Sequence, residues 1–358
     1  MRNEPDDDTR FSGLAPIDGP APPAGDPPKR RLPFRWFWPM LAGAAIAFVL
    51  RLAFSGAPGH GYSAMLGTFI FLAPALCGAV TVYVAERIER RSWTYYLVAP
   101  WLSTALFVLG TLFVFIEGLI CAIVVVPVFA VMGSLGGFAM GLVCRVTNWP
   151  KPALYSFAVL PLVLGAIEPQ FPNPERLSST ARTLFIAAPP ERVWHEINNA
   201  GAIRPEELGD AWAYRIGVPM PVSGVTQETP EGRVRMVRWQ KQVHFEELVT
   251  EWEPARHVRW RYRFAPDSFP AGALDDHVMI GGHYFDLRES GYTLVPRDGG
   301  TELRLDVSWR VSTRFNWYAD RLAQFLLGDF SEHILRFYKA RSEATATADA
   351  HTGPMIRP

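Results

Sequence analysis

His195, His244, His257, His277, His283 and His333 are the side chains of the C-terminal half best suited to move protons or hold a metal, and they are scattered. Metal sites need ligands at fixed spacing, such as two histidines one helical turn apart, and His195-Glu196 has no second histidine to complete such a pair. No metal and no cofactor is therefore expected. Covalent chemistry fares no better. Cys77, Cys121 and Cys144 all lie in apolar segments, and neither a nucleophile elbow nor a Gly-rich phosphate loop occurs. What remains is noncovalent acid/base chemistry by an isolated His, Glu or Tyr, because a carboxyl or imidazole desolvated in a cavity can titrate near neutrality. No catalytic residue is assigned. His244, Glu246, Glu247, Tyr284 and Asp286 are the polar candidates, since all five lie in strand-like segments where half the positions face inward.

A second set of residues is suited to binding rather than reaction. Trp239, Trp260, Tyr262, Trp309, Phe325 and Phe330 could line an apolar ligand cavity with His244 and Tyr284 as orienting polar groups, or could simply fill a core. These eight are the candidate ligand-binding residues.

The elements that must position them are legible from periodicity. Val258, Trp260, Tyr262 and Phe264 alternate with arginines, and Leu303, Leu305, Val307, Trp309 and Val311 alternate with polar residues, as half-buried strands do. Further strands are predicted at 213–216, 233–240, 243–252 and 283–295. Asp298-Gly299-Gly300 supplies the positive φ angles of a hairpin turn, so the sheet should be largely antiparallel. Residues 314–346 read as one long helix, with a kink allowed at Gly328-Asp329. Its apolar stripe of Tyr318, Leu322, Phe325, Phe330, Ile334 and Phe337 needs the concave face of that sheet as its partner.

This order of elements resembles the START-like (SRPBCC) superfamily, which includes polyketide cyclase and dehydrase-like proteins and plant allergen-type ligand carriers. The resemblance is carried by Ile186-Ala187-Ala188-Pro189-Pro190-Glu191-Arg192-Val193-Trp194, by Glu247-Leu248-Val249-Thr250-Glu251-Trp252-Glu253-Pro254 and by the Asp298-Gly299-Gly300 hairpin. It covers residues 179–342 and implies an α+β helix-grip fold, an antiparallel sheet wrapped on a long C-terminal helix with a cavity between. It implies no single function, since the superfamily holds carriers, receptors and cyclases.

The N-terminal half has a different composition. Residues 1–33 are rich in Pro, Gly and Asp and read as a disordered tail, whereas charged residues almost vanish between Trp36 and Ile167. Crossing a bilayer takes roughly 20 apolar residues. Segments 36–54, 62–85, 95–115 and 119–144 meet that need, and 153–167 is a shorter fifth candidate carrying Pro161. The expected organisation is an α-helical transmembrane bundle at 34–168, a linker at 169–178, the START-like domain at 179–342 and a second tail at 343–358.

Lys29, Arg30, Arg31 and Arg35, then Arg87, Arg90 and Arg91, then Arg145 and Lys151 fall on one side of the alternating spans, which predicts a cytoplasmic N-terminus. Five spans put the C-terminal domain outside and four keep it inside. Arg51, Glu117 and Glu168 read as interfacial residues, and Gly137 with Gly141 as a close helix-packing pair.

Balanced charge, 35 basic against 35 acidic residues, and the lack of any nucleic-acid motif exclude nucleic acid as a partner. Arg259, Arg261 and Arg263 read as a solvated strand face. The expected partners are the lipid bilayer and a hydrophobic small molecule or lipid, with a protein partner as a further option. Three functions stay open: a membrane-anchored lipid or hydrophobic-ligand binder, a polyketide cyclase/dehydratase-like enzyme, and a membrane assembly protein.

Overall fold

Apolar runs become helices wherever backbone groups must satisfy themselves internally. In the computed structural model, which describes residues 36–147 and 151–351, five such helices occur: α1 (Trp38–Ala53), α2 (Ala73–Ile88), α3 (Trp93–Phe113), α4 (Leu119–Val146) and α5 (Lys151–Ile167). A π-helical turn, Thr68–Leu72, leads into α2, where Pro74 lacks the N–H of a regular ladder. Thr68–Ile88, α3 and α4 are long and apolar enough to cross a membrane. Helix α1, at 16 residues, and α5, at 17, rise only about 24–26 Å at about 1.5 Å per residue, short of a hydrocarbon core about 30 Å thick. Among the described residues three helices meet the length criterion, and α1 and α5 are shorter apolar helices. The Gly137 and Gly141 pair packs inside the bundle, since an added Cβ would stand 2.5 Å from the Tyr96 carbonyl oxygen or 2.3 Å from its ring.

A 3₁₀ turn at Glu168–Gln170 connects α5 to an eight-stranded sheet, which begins at Glu175 inside the expected linker. Its strands are β1 (Glu175–Ile186), β2 (Asn199–Ala200), β3 (Pro221–Thr229), β4 (Gly232–Trp239), β5 (His244–Glu253), β6 (His257–Arg263), β7 (Phe285–Arg297) and β8 (Gly300–Ser312). The order β1-β8-β7-β6-β5-β4-β3-β2 is antiparallel throughout. Bulges at Pro221/Ser223, Val249/Glu251 and Leu287/Glu289 bend the strands and add twist, which is what lets the sheet curl.

Helices α6 (Pro190–Asn198), α7 (Pro205–Leu208) and α8 (Trp212–Arg215) bridge β1 to β3. The strand expected at 213–216 is instead α8. Ala211 starts this single turn, and Tyr214 is drawn onto Phe330 at a ring separation of 5.8 Å. The long helix α9 (Asn316–His351) runs unbroken through Gly328-Asp329 and reaches into the stretch expected to be a tail. Its Ile334, Leu335, Phe337 and Tyr338 join Ile186, Val258, Trp260, Leu303, Leu305 and Trp309 in one core, so the concave sheet does receive the helical stripe. The fold of this half fits the helix-grip type. The tail expected at 1–33 lies outside the described residues.

Candidate functional site

A cavity of about 260 Å³ lies between the concave sheet and α9, near the lower end of the range for small-molecule pockets. Strand alternation places its wall. On β4, Arg235, Val237 and Trp239 share the inward face, and on β5 Phe245 and Glu247 do. On β7 the bulge between Leu287 and Glu289 shifts the alternation by one, so that Phe285 and Leu287 before it and Ser290 and Tyr292 after it all face the cavity.

Five of the eight sequence-nominated residues, Trp239, Trp260, Tyr262, Tyr284 and Phe330, line this cavity together. The other three do not. His244 directly precedes Phe245, so it takes the outer face of β5 and stands exposed, 3.6 Å from Asp267. Trp309 is fully buried beneath the start of α9, where its indole N–H donates to Asp320 Oδ1 at 3.1 Å. Phe325 is turned out of the cavity, 52% exposed beside Trp212. Of the other polar candidates, Glu247 faces inward, Glu246 pairs outside with Arg263, and Asp286 pairs outside with Arg288. The Arg259, Arg261 and Arg263 row carries cross-strand ion pairs to Glu251, Glu289, Glu231 and Glu246 on the outer face.

The polar centre of the cavity rests on a residue that sequence reasoning missed. Arg235 stands directly opposite Glu247 in the β4–β5 register, and its Nη1 donates to Glu247 Oε2 at 2.7 Å. Its Nη2 donates to Tyr338 Oη on α9 at 3.0 Å, and its guanidinium carbon lies 5.0 Å from the Trp260 ring centroid. Gly224 on the neighbouring strand leaves the room, because a Cβ there would stand 2.3 Å from Nη2. The Arg235 Nε–H, also buried, has no protein partner. Beside this group Tyr262 and Ser290 share a hydroxyl hydrogen bond at 2.8 Å. The available signal was that Arg235 keeps the alternation of Val237 and Trp239, an arginine on an otherwise apolar face.

Burial sets the protonation of this cluster. Desolvation raises the Glu247 carboxyl above its ordinary range, and the adjoining guanidinium offsets that only in part. Burial alone would lower Arg235, but Tyr338 and Glu247 hold it above its ordinary value, so it stays charged. Burial likewise raises the phenols of Tyr262, Tyr292 and Tyr338, which remain protonated donors. Among the described residues, no three His, Cys, Asp or Glu side chains gather where a metal could be held.

The helical half contributes to the same wall, through Met65 and through Ile120 and Val124 of α4. Polar contacts fasten this junction. Tyr284 Oη lies 2.8 Å from Ser63 Oγ and accepts from the Gly59 N–H at 3.0 Å, and Tyr318 Oη donates to the Val124 carbonyl at 2.6 Å. Asp275 Oδ2 accepts from the Cys121 N–H at 3.0 Å at the start of α4, and Glu168 accepts from the Gly67 and Thr68 N–H groups at 2.7 and 2.8 Å. Arg51 and Glu117, expected at the interface with lipid headgroups, form a buried ion pair with each other, and His277 lies 3.8 Å from Glu117.

No protein-family model matches the chain, and no curated protein matches it. Solved structures do resemble it. They include TTHA0849 from Thermus thermophilus, 22% identical over 47% of this chain and 99% of that one with a TM-score of 0.30. The Zhui aromatase/cyclase from Streptomyces sp. R1128 is 14% identical over 47% and 94%, TM-score 0.29. The di-domain ARO/CYC StfQ of the steffimycin biosynthetic pathway is 13% identical over 55% and 62%, TM-score 0.29. Polyketide aromatase/cyclases are thus among the neighbours of the C-terminal half, at a similarity that concerns fold and leaves substrate and activity unaddressed.

Proposed function

We propose that this chain is a membrane-anchored binding protein whose helix-grip domain holds a hydrophobic small molecule bearing one polar acceptor group. The observation that carries this reading is the buried Arg235, with an unpartnered Nε–H, set with Glu247 in the wall of a mainly apolar cavity. An apolar body gains from the cavity roughly 25 cal/mol per Å² of surface removed from water. A carbonyl, hydroxyl or carboxylate oxygen gains a charge-assisted hydrogen bond from Arg235.

The anchor in this reading is the five-helix bundle. Phe157 of α5 packs with Tyr83 and Tyr96 at the end that carries Arg91 and Arg145, while Gly165 meets Phe54 and Tyr62 at the other. Helix α5 thus returns the chain to the end that bears the helix-grip domain, opposite Arg91 and Arg145; with the bilayer thinned around the shorter α1 and α5, this reading has five spans and an external domain.

Extracting the full-length protein and identifying copurifying small molecules by mass spectrometry tests this. A near-stoichiometric species in wild type, lost in Arg235→Met, is expected; no species above a matched membrane control refutes the reading. One observation favours the cyclase/dehydratase alternative: Glu247, a carboxyl raised by burial, lines the same cavity and could move a proton. Glu247→Gln retaining the bound species while abolishing its conversion would establish that alternative.

A further inference from the structure

The cavity wall changes character where α4 crosses it. Ile120 and Val124 face the cavity and pack with Ile216, Leu274, Ile280 and Leu326 of the helix-grip domain, forming an apolar seam from cavity to bundle. Both margins of this seam continue outward as exposed apolar side chains. On α4 the adjoining column, Leu119 and Ile123, is 51% and 47% exposed. On the domain side Trp212, one turn before Ile216, and Phe325, next to Leu326, meet at 6.3 Å and are similarly exposed. Apolar side chains placed in pairs on both lips of a buried apolar passage, and continuous with a helix long enough to cross a membrane, suit hydrocarbon better than water.

We infer that the cavity exchanges its contents with the bilayer through this seam, so that its ligand is a membrane-resident amphiphile, an apolar chain with one acceptor head. This rests on the binding function proposed above and adds its source and route. Tail-first passage along Ile120, Val124 and Leu326 needs no charged group to leave the interface until Arg235 receives the head. The segment around Asp275, fastened to the start of α4, is the part that must give way for passage.

A reversible lock tests the route. A Cβ on Gly118 would stand 2.3 Å from the Asp275 carboxyl carbon, close enough that Gly118→Cys with Asp275→Cys brings two sulfurs within bonding range. The pair is placed in full-length protein whose Cys77, Cys121 and Cys144 are replaced by serine, and reconstituted in phosphatidylcholine vesicles doped with diazirine-bearing palmitic acid. Photo-crosslinks to peptides containing Trp239 and Tyr262 report arrival in the cavity. Oxidation should slow their appearance at least tenfold, and reduction should restore it, which also shows the variant is folded. Phe325→Asp in the wild-type background should slow uptake from vesicles several-fold more than uptake from detergent.

Equal rates in oxidised and reduced protein overturn the seam as the route. Crosslinks from detergent but none from vesicles, in unlocked protein, overturn the bilayer as the source while leaving binding intact. No cavity crosslinks from either source refute the binding function itself, and the route with it.

Discussion

Removing the charge of Glu247 should destabilise the helix-grip domain far more than removing the whole ion pair. In wild type the Arg235 guanidinium has two protein acceptors, Glu247 Oε2 at 2.7 Å and Tyr338 Oη at 3.0 Å, and both ion-pair side chains are nearly inaccessible. Glu247→Gln leaves a buried cation facing neutral oxygens. Breaking a buried pair on one side costs about 3–5 kcal/mol, whereas replacing both partners by apolar side chains of similar volume is near neutral. Arg235→Met with Glu247→Leu should therefore be more stable than Glu247→Gln by several kcal/mol, although it changes two residues. Amide exchange in β4 and β5 of the full-length protein in detergent measures this locally. The single variant should speed exchange roughly a hundredfold or more, at about 1.4 kcal/mol per factor of ten, and the double should stay within about tenfold of wild type. Additive costs, or a Glu247→Gln cost under about 1 kcal/mol, would refute the claim that the pair is desolvated and mutually dependent.

Arg235→Met alone should show a pH signature: with its cation gone, Glu247 rises further above its unfolded value of about 4.3, so the folded state binds the proton more tightly and the variant lies closest to wild type in acid, losing stability as pH rises past that value, as thermal shift across pH 4–8 will show. Glu207 works in the opposite sense. Hydrogen bonds from Arg341 hold its carboxyl down to about 2, so its contribution is present above about pH 4.5 and is lost as pH falls toward 2; Glu207→Gln should flatten that acid limb. Gly224→Ala should push the Arg235 guanidinium aside and lower occupancy by the proposed ligand at least tenfold by native mass spectrometry, with the fold retained by circular dichroism. Glu168→Gln weakens a charged acceptor for two backbone N–H groups, a loss of about 1.5–3 kcal/mol locally, and should speed proteolysis between residues 55 and 67.

Much of the sheet was legible because its strands keep strict alternation: β6 and β8 face as Trp260, Tyr262, Leu305 and Val307 require. Where a bulge interrupts alternation, as between Leu287 and Glu289, no periodic reading can place Ser290 and Leu287 on one face. Arg235 escaped notice because it sits among Arg233 and Arg238, a pattern that reads as a solvated edge. The apolar helices declared themselves by composition, but their ends did not. What lay beyond reach were the contacts between the two halves, Tyr284 with Ser63 or Asp275 with Cys121, which join positions 221 and 154 residues apart and obey no local rule. Arg51 and Glu117 looked like separate interfacial charges for the same reason.

The Asp275 carboxylate at the head of α4 has a consequence for how the chain is made. Synthesis runs from the N-terminus, so α4 exists for some 150 residues of elongation before the side chain that accepts its Cys121 N–H is available. A helix start without such an acceptor leaves backbone donors unsatisfied. A nascent or truncated bundle thus carries an incomplete end that only a finished, correctly wrapped sheet completes. A product that ends before Asp275 should therefore be cut more readily at the start of α4 than one that includes it.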